Sequence, residues 1–324
     1  MKWVKFMKKY IYTAAVLIIF NSVTVFAQNS ADSLLTILTE SQKKTEFYRE
    51  TFKNLLADEL KTFEEFGKNG NSDKKTTIKS SLLVYQSGKI ANATAELRNV
   101  LEVNGKLIPD SQKRGEEFLA ELDKQTTLES ELKKLESDGL RYDTTWRVSG
   151  LTLNQGVALA PNLIRFFDFK LDGKENLQGN EVYVISYQQT KKSPNILVNE
   201  KDKITTAEFT VGFDLDIPNK LKKTDFFLSG KLWIDSKTFQ IRREVRNLTA
   251  QTTEPIVLVS NLFEYQASDY GILVPKNISL TIFKAKKEKG NDKYSTVKHT
   301  KISFEYSRFR QTNVDVKILD DDPN

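Results

Sequence analysis

Between Phe226 and Leu248 apolar and polar residues alternate with a period of two, the mark of a strand with one face buried and one wet. Phe226, Leu228, Leu232 and Ile234 share one face, and Lys231, Trp233 and Asp235 the other. After Asp235-Ser236-Lys237-Thr238, whose Asp and Ser side chains can bond the backbone just beyond them, the pattern predicts a second strand. Its apolar face is read as Phe239, Ile241 and Val245, against Gln240, Arg242, Glu244 and Arg246.

The same alternation recurs through the second half. Phe166 to Glu175 and Val182 to Gln189 read as a hairpin across Gly179, and Thr205, Ala207, Phe209, Val211, Phe213 and Leu215 as a further strand. Ile256 to Tyr265, then Ile278, Leu280 and Ile282, then Ile302, Phe304 and Tyr306 continue it. Seven or eight strands at hairpin spacing predict a large antiparallel meander. Leu151 to Ile164, interrupted by Pro161, reads as short helical turns.

The first half mixes periods. Ser30 caps a predicted helix from about Ala31 to Lys44. Phe47 to Leu60 carries apolar residues at spacings of three and four but runs into a hairpin-type loop at Gly67 to Asn71, so it stays open between helix and strand. Lys61 to Phe66 pairs with Thr76 to Gln86, and Thr94 to Val103 is a further strand. Pro109-Asp110-Ser111 opens one long amphipathic helix that closes at Asp138-Gly139. The predicted class is α+β, a curved antiparallel sheet covered by helices.

Charge changes the picture at the N-terminus. Lys2, Lys5, Lys8 and Lys9 precede an apolar run from Ala14 to Phe20 and a Val25-Phe26-Ala27 ending, the make-up of a cleaved export signal. The run falls short of the ~20 apolar residues that span a bilayer. The net charge of the 324 residues is +6, and without the four leader lysines 45 basic residues face 43 acidic ones, which leaves no basic stripe for nucleic acid. The absence of cysteine removes disulfides, thiolate chemistry and a lipidated anchor. Residues 1–27 are thus read as the signal, 28–142 as helices and strands packing on the sheet, 143–319 as the β domain and 320–324 as a frayed tail.

Several residue strings of the second half go together: Phe167-Asp168-Phe169 with Gly173-Lys174-Glu175, Gly230-Lys231-Leu232-Trp233-Ile234-Asp235 with Thr238, Tyr270-Gly271-Ile272-Leu273-Val274-Pro275, and Phe304-Glu305-Tyr306. Together they resemble the outer-membrane lipoprotein-sorting and lipoprotein-carrier group of bacterial periplasmic proteins, over Phe166 to about Lys317. The resemblance implies a half-open barrel with an apolar concave side, lidded by helices and open to acyl chains.

The catalytic inventory is thin. His299 is the one histidine, too few for a metal triad or a relay, and reads as an exposed strand residue. Gly67, Gly70 and Gly88 match no phosphate loop. Asp214 and Asp216 share a strand face but nominate no substrate, and Asp320 to Asp322 lacks the spacing of a calcium loop. The reading is therefore a periplasmic, monomeric, non-enzymatic carrier without metal or cofactor. It binds a hydrophobic ligand, a lipid or a lipoprotein's acyl chain, on Phe209, Val211, Phe213, Phe226, Leu228, Leu232, Ile234, Phe239 and Ile241. Trp233, Arg242, Arg243 and Arg246 stand at the rim, where they meet an anionic headgroup or pair with neighbouring acids. Tight packing, instead of a gap of about 300 Å³, would leave a scaffold or an envelope interaction module that works without cargo.

Overall fold

The computed structural model describes residues 34–53, 55–67, 69–86, 94–123, 129–144, 147–200, 208–288 and 293–311. The predicted export signal, the predicted start of the first helix at residues 31–33, residues 205–207 of the expected strand and the acidic tail lie outside them. The chain opens with helix α1 (34–52), which buries Ile37, Leu38, Ser41, Thr45, Tyr48 and Phe52 at helical spacing.

Strand β1 (Leu55–Phe66) follows almost at once, so the contested stretch splits between the two periods. Tyr48 and Phe52 belong to the helix, while Leu55, Ala57, Glu59, Lys61 and Phe63 are the buried alternate positions of the strand. Strands β2 (Ser72–Gln86), β3 (Thr94–Val103) and β4 (Lys106–Leu107) complete the first meander. Helices α2 (Ser111–Asp123) and α3 (Glu129–Gly139) stand where one long helix was predicted, with residues 124–128 undescribed between them.

Two 3-10 turns, Val157–Leu159 and Ile164–Phe166, match the short helical turns read from the pattern. They lead into β5 (Phe167–Leu177) and β6 (Asn180–Gln189). A detached parallel pair, β7 (Ile196–Val198) and β8 (Val211–Phe213), is followed by β9 (Phe226–Asp235), β10 (Ile241–Ala250), β11 (Ile256–Ala267), β12 (Leu273–Lys287) and β13 (Tyr294–Gln311). Of the described part of the strand expected over Thr205 to Leu215, residues 208–215, the three of β8 are strand. Their neighbour is Ile196–Val198, held through Asn199, whose side chain bonds the Leu215 backbone at both N–H and C=O.

One sheet takes in eleven strands in the order β4-β3-β2-β1-β13-β12-β11-β10-β9-β6-β5, with every pair antiparallel. Seven of them, β5, β6 and β9 to β13, come from the second half, in line with the seven or eight strands read there from the pattern. The first half does not pack on it as a separate layer: β1 pairs with β13, so β1 to β4 complete the sheet. Its two edges, β4 and β5, do not pair with each other, which leaves the barrel open.

The sheet must also curl. Glu96 on β3 bonds Thr152 and Glu244 on β10 bonds Gly156, four residues further along one segment. Six strand intervals at about 4.8 Å separate β3 from β10 in the sheet, roughly 29 Å if it were flat. Four residues of chain span at most about 14 Å, and side chains standing off a strand add little sideways reach. Opposite walls of the sheet therefore face each other across that segment. α1 and residues 147–166 fill the concave side, where Val157, Leu159, Ala160 and Leu163 are wholly buried. α3 instead covers the outer face, through Leu135 against Leu83, Tyr85 and Leu97.

A bulge between Ile241 and Arg243 corrects the facing read from the sequence. Beyond it Glu244, Arg246 and Leu248 turn inward opposite Leu232, Gly230 and Leu228, and Val245 turns out. Gly230, opposite Arg246, leaves no room for a side chain. A Cβ there would lie 1.9 Å from the Val245 carbonyl oxygen and 2.7 Å from the Tyr187 hydroxyl. Because backbone and buried tyrosine cannot both withdraw, Gly230→Ala is expected to cost about 3 kcal/mol or more in a urea unfolding titration, whereas Gly179→Ala, in an open turn, should cost under about 2.

Candidate functional site: a cup filled by its own chain

The expected trough is present as a concave sheet face, but the apolar side chains on it are covered by the chain itself. The two best-formed cavities lined by described residues hold about 20 Å³ each, room for one water apiece. Physically, the concavity already contains a helix and an irregular segment, and that segment brings a difficulty of its own. Its buried N–H and C=O groups have no ladder to join, so each must find a partner or incur a desolvation cost.

The partners are charged side chains on the surrounding strands. Glu96 Oε1 accepts both the backbone N–H (3.0 Å) and the hydroxyl (2.6 Å) of Thr152. Glu244 Oε2 accepts the N–H of Gly156 at 2.9 Å, and Arg246 donates to the Asn154 carbonyl. From α1, Tyr48 donates to the Thr152 carbonyl (2.6 Å), Arg49 to those of Leu153 (3.3 Å) and Gln155 (3.0 Å), and Gln42 to that of Leu159 (2.8 Å). Gly156 itself has φ 57°, and its missing Cβ leaves room for Ile241 and Thr45.

Each anchoring glutamate is in turn neutralised. Arg98 grips Glu59 with both arms of its guanidinium (2.8 and 3.0 Å) and reaches Glu96 at 2.9 Å. Lys61 bonds Asp143 (2.9 Å) between the rings of Phe63 and Phe304. Arg246 pairs with Glu244 (2.9 Å) over the ring of Phe263, and the Tyr187 hydroxyl donates to the same carboxylate at 3.2 Å.

The protonation equilibria follow from burial and pairing. Burial works to raise Glu59, but Arg98 beside it prevails and holds the carboxyl below its ordinary value. For Arg98 the carboxylates of Glu59 and Glu96 outweigh burial and push it well up. Lys61 is lowered and Asp143 raised, both chiefly by burial, so desolvation exceeds the attraction within that pair. Arg49 is lowered to about 10, first by burial, and stays charged at neutral pH. Tyr48, Tyr187, Tyr265 and Tyr306 are all pushed well up by burial and remain neutral, the first two as hydrogen-bond donors.

Of the residues chosen from the sequence, Leu228, Leu232, Ile234 and Ile241 lie on the concave face, each no more than 1% exposed and covered by the chain itself. Phe226 is half-buried at the start of β9. Phe239 sits in the turn at φ 58°, stacked on Tyr183. Phe209 lies under the Arg49 guanidinium (4.3 Å), and Val211 and Phe213 on β8 pack against the core without joining the large sheet.

Among the rim residues, Trp233 donates to Glu175 (2.6 Å) beneath Arg243, which itself pairs with Glu264 (2.7 Å). Arg242 pairs with Asp235 (2.6 Å). Arg246 is not a rim residue, because the bulge carries it into the interior. Asp216 is exposed beside Lys284, and His299 is half-buried at a bulge in β13.

The buried anchors escaped the sequence reading although they leave a signal. Glu59-Leu60-Lys61, Glu96-Leu97-Arg98 and Glu244-Val245-Arg246 each place opposite charges two residues apart, hence on one strand face where the two can neutralise each other. No group of three or more His, Asp or Glu among the described residues is arranged to hold a metal, and no described helix is long and apolar enough to cross a membrane.

No family model matches the chain, and neither does any curated protein. Among solved structures it is similar to a putative outer membrane lipoprotein-sorting protein domain from Vibrio parahaemolyticus, at 9% identity over 84% of this chain and 94% of that one, with a TM-score of 0.35. It is likewise similar to the LolA superfamily protein NE2245 from Nitrosomonas europaea (9% identity, 86% and 93%, TM-score 0.33) and to a DUF1329 family protein from Desulfovibrio piger (10%, 87% and 95%, 0.30).

Arg98→Met removes the partner of two buried carboxylates and is expected to lose about 3–5 kcal/mol of unfolding free energy at pH 7. The loss should shrink as pH falls towards 4.5, because the stability that the parent gains from Glu59, held below its ordinary value by Arg98, fades as pH falls while the variant never had it. Glu136, raised first by burial and then by Glu96, favours the fold most below its unfolded value of 4.5, and that contribution is lost as pH rises through its higher folded value. Glu136→Gln should therefore be more stable than the parent at pH 7 and equal to it below about pH 4, by thermal unfolding across that range.

Proposed function

We propose that this chain is an exported, non-enzymatic binding protein whose working surface is the concave face of its sheet, and whose ligand is hydrophobic, a lipid or the acyl chain of a lipoprotein. In this conformation the surface is taken by α1 and residues 147–166. A ligand binds by displacing them, not by entering a preformed cavity. The observation that carries the reading is that an irregular segment, fixed to its surroundings at a handful of polar points, covers an apolar strand face that includes Leu228, Leu232, Ile234 and Ile241. The leader at residues 1–27 supports export, and the lone histidine and absent cysteine support a role without catalysis.

Self-occupancy sets a cost. Apparent affinity is the intrinsic affinity reduced by the fraction of molecules in which the segment is out, so weakening the clasp should tighten ligand binding. Arg49 offers the cleanest test, since its two hydrogen bonds go to carbonyls of the segment and to no buried acid. Arg49→Met is expected to bind a fluorescent fatty-acyl probe about tenfold more tightly than the parent, for a loss of roughly 1.4 kcal/mol in the closed state. Absence of probe binding in both proteins would reject the hydrophobic ligand and leave the closed cup as a scaffold for an envelope protein partner.

A further inference from the structure

We propose that one end of the cup docks on an anionic lipid surface. The end in question gathers the start of β9, the end of β10, the start of β11, the end of β12 and the start of β13. A short turn, Leu221–Lys223, is pinned there by Leu221, which is 1% exposed, and by its N–H bond to the Pro218 carbonyl at 2.8 Å. With that leucine inside, Lys220, Lys222 and Lys223 all stand exposed. The turn lies beside the end of β12, since Asp216, two residues before Pro218, reaches Lys284 at 3.5 Å. Lys284, Lys286 and Lys287, also exposed, extend the cluster along that strand.

The make-up of the cluster decides the kind of partner. All six are lysines, compact charges on flexible stems that neutralise a diffuse negative surface without demanding the planar, two-pronged geometry that arginine supplies to a single phosphate. Lys220, Lys222 and Lys223 of the turn stack on no aromatic ring among the described residues, as single-stranded nucleic acid would require. Ile217, Leu221, Leu258 and Ile282 are buried beneath the cluster, so the face offered to the headgroups is that of the lysines themselves. Docking of this end stands whether or not the cup takes a ligand.

The test is sedimentation of the full protein with phosphatidylcholine vesicles, alone and with part of the lipid replaced by phosphatidylglycerol. Binding is expected only to the second, and to vanish in 1 M salt, where the screening length falls to about 3 Å. At about 1 kcal/mol per lysine, the triple variant Lys220→Gln, Lys222→Gln, Lys223→Gln should bind on the order of 100-fold more weakly. Its thermal midpoint should be unchanged because all three side chains are exposed, and Lys174→Gln, on the outer sheet, should bind as the parent does. Equal binding to neutral vesicles, undiminished binding of the triple variant, or release by inorganic phosphate but not by chloride at equal ionic strength would overturn the proposal, the last by revealing a site for free phosphate.

Discussion

An irregular backbone can be buried inside a sheet only if every peptide group it takes from water is given back a partner. That constraint organises this molecule. Residues 152–159 run through the concavity of an eleven-stranded sheet, and the side chains that meet their N–H and C=O groups are Glu96, Glu244 and Arg246 from the strands and Gln42, Tyr48 and Arg49 from the helix. A carboxylate in such a place needs a cation, and a cation a second acid, so charge accumulates at the centre of the fold. The outcome is two linked groups, Glu59–Arg98–Glu96 with Lys61–Asp143 beside it, and Glu244–Arg246, joined by the segment they hold.

Such an interior differs in kind from an oily lining. Apolar packing tolerates substitution and rearranges at modest cost, whereas a buried ion pair that loses one member strands the other. Position is therefore fixed sharply while the closed state holds, and the number of points to be broken for the segment to leave is small and countable. Because a bound ligand would need to outcompete those same bonds, the strength of the clasp and the affinity for ligand are two readings of one quantity.

Much of the fold was legible in the sequence. The hairpins from Phe166 onward, the pairing of Lys61 to Phe66 with Thr76 to Gln86, and the turns between Leu151 and Ile164 all follow from alternation and turn chemistry that local interactions dictate. The misreadings have one source, the assumption that inward means apolar. It obscured the strand period of β1, where Glu59 and Lys61 occupy buried positions, and it placed Arg246 on the wet face when a bulge turns it in. A bulge is a choice between registers that only the neighbouring strands decide, so no single-strand pattern reveals it. The same assumption left the cup open, because nothing local to residues 147–166 says that they will be swallowed by strands far along the chain.

Amide hydrogen exchange of Thr152 and Gly156 tests the central claim most directly, since both N–H groups lie in a segment without regular structure and donate to buried carboxylates. Protection approaching that of the strand amides of β10 and β13 is the result the filled cup requires. Exchange at the rate of an exposed loop would contradict it, and with it the view that buried charge holds the concave face closed.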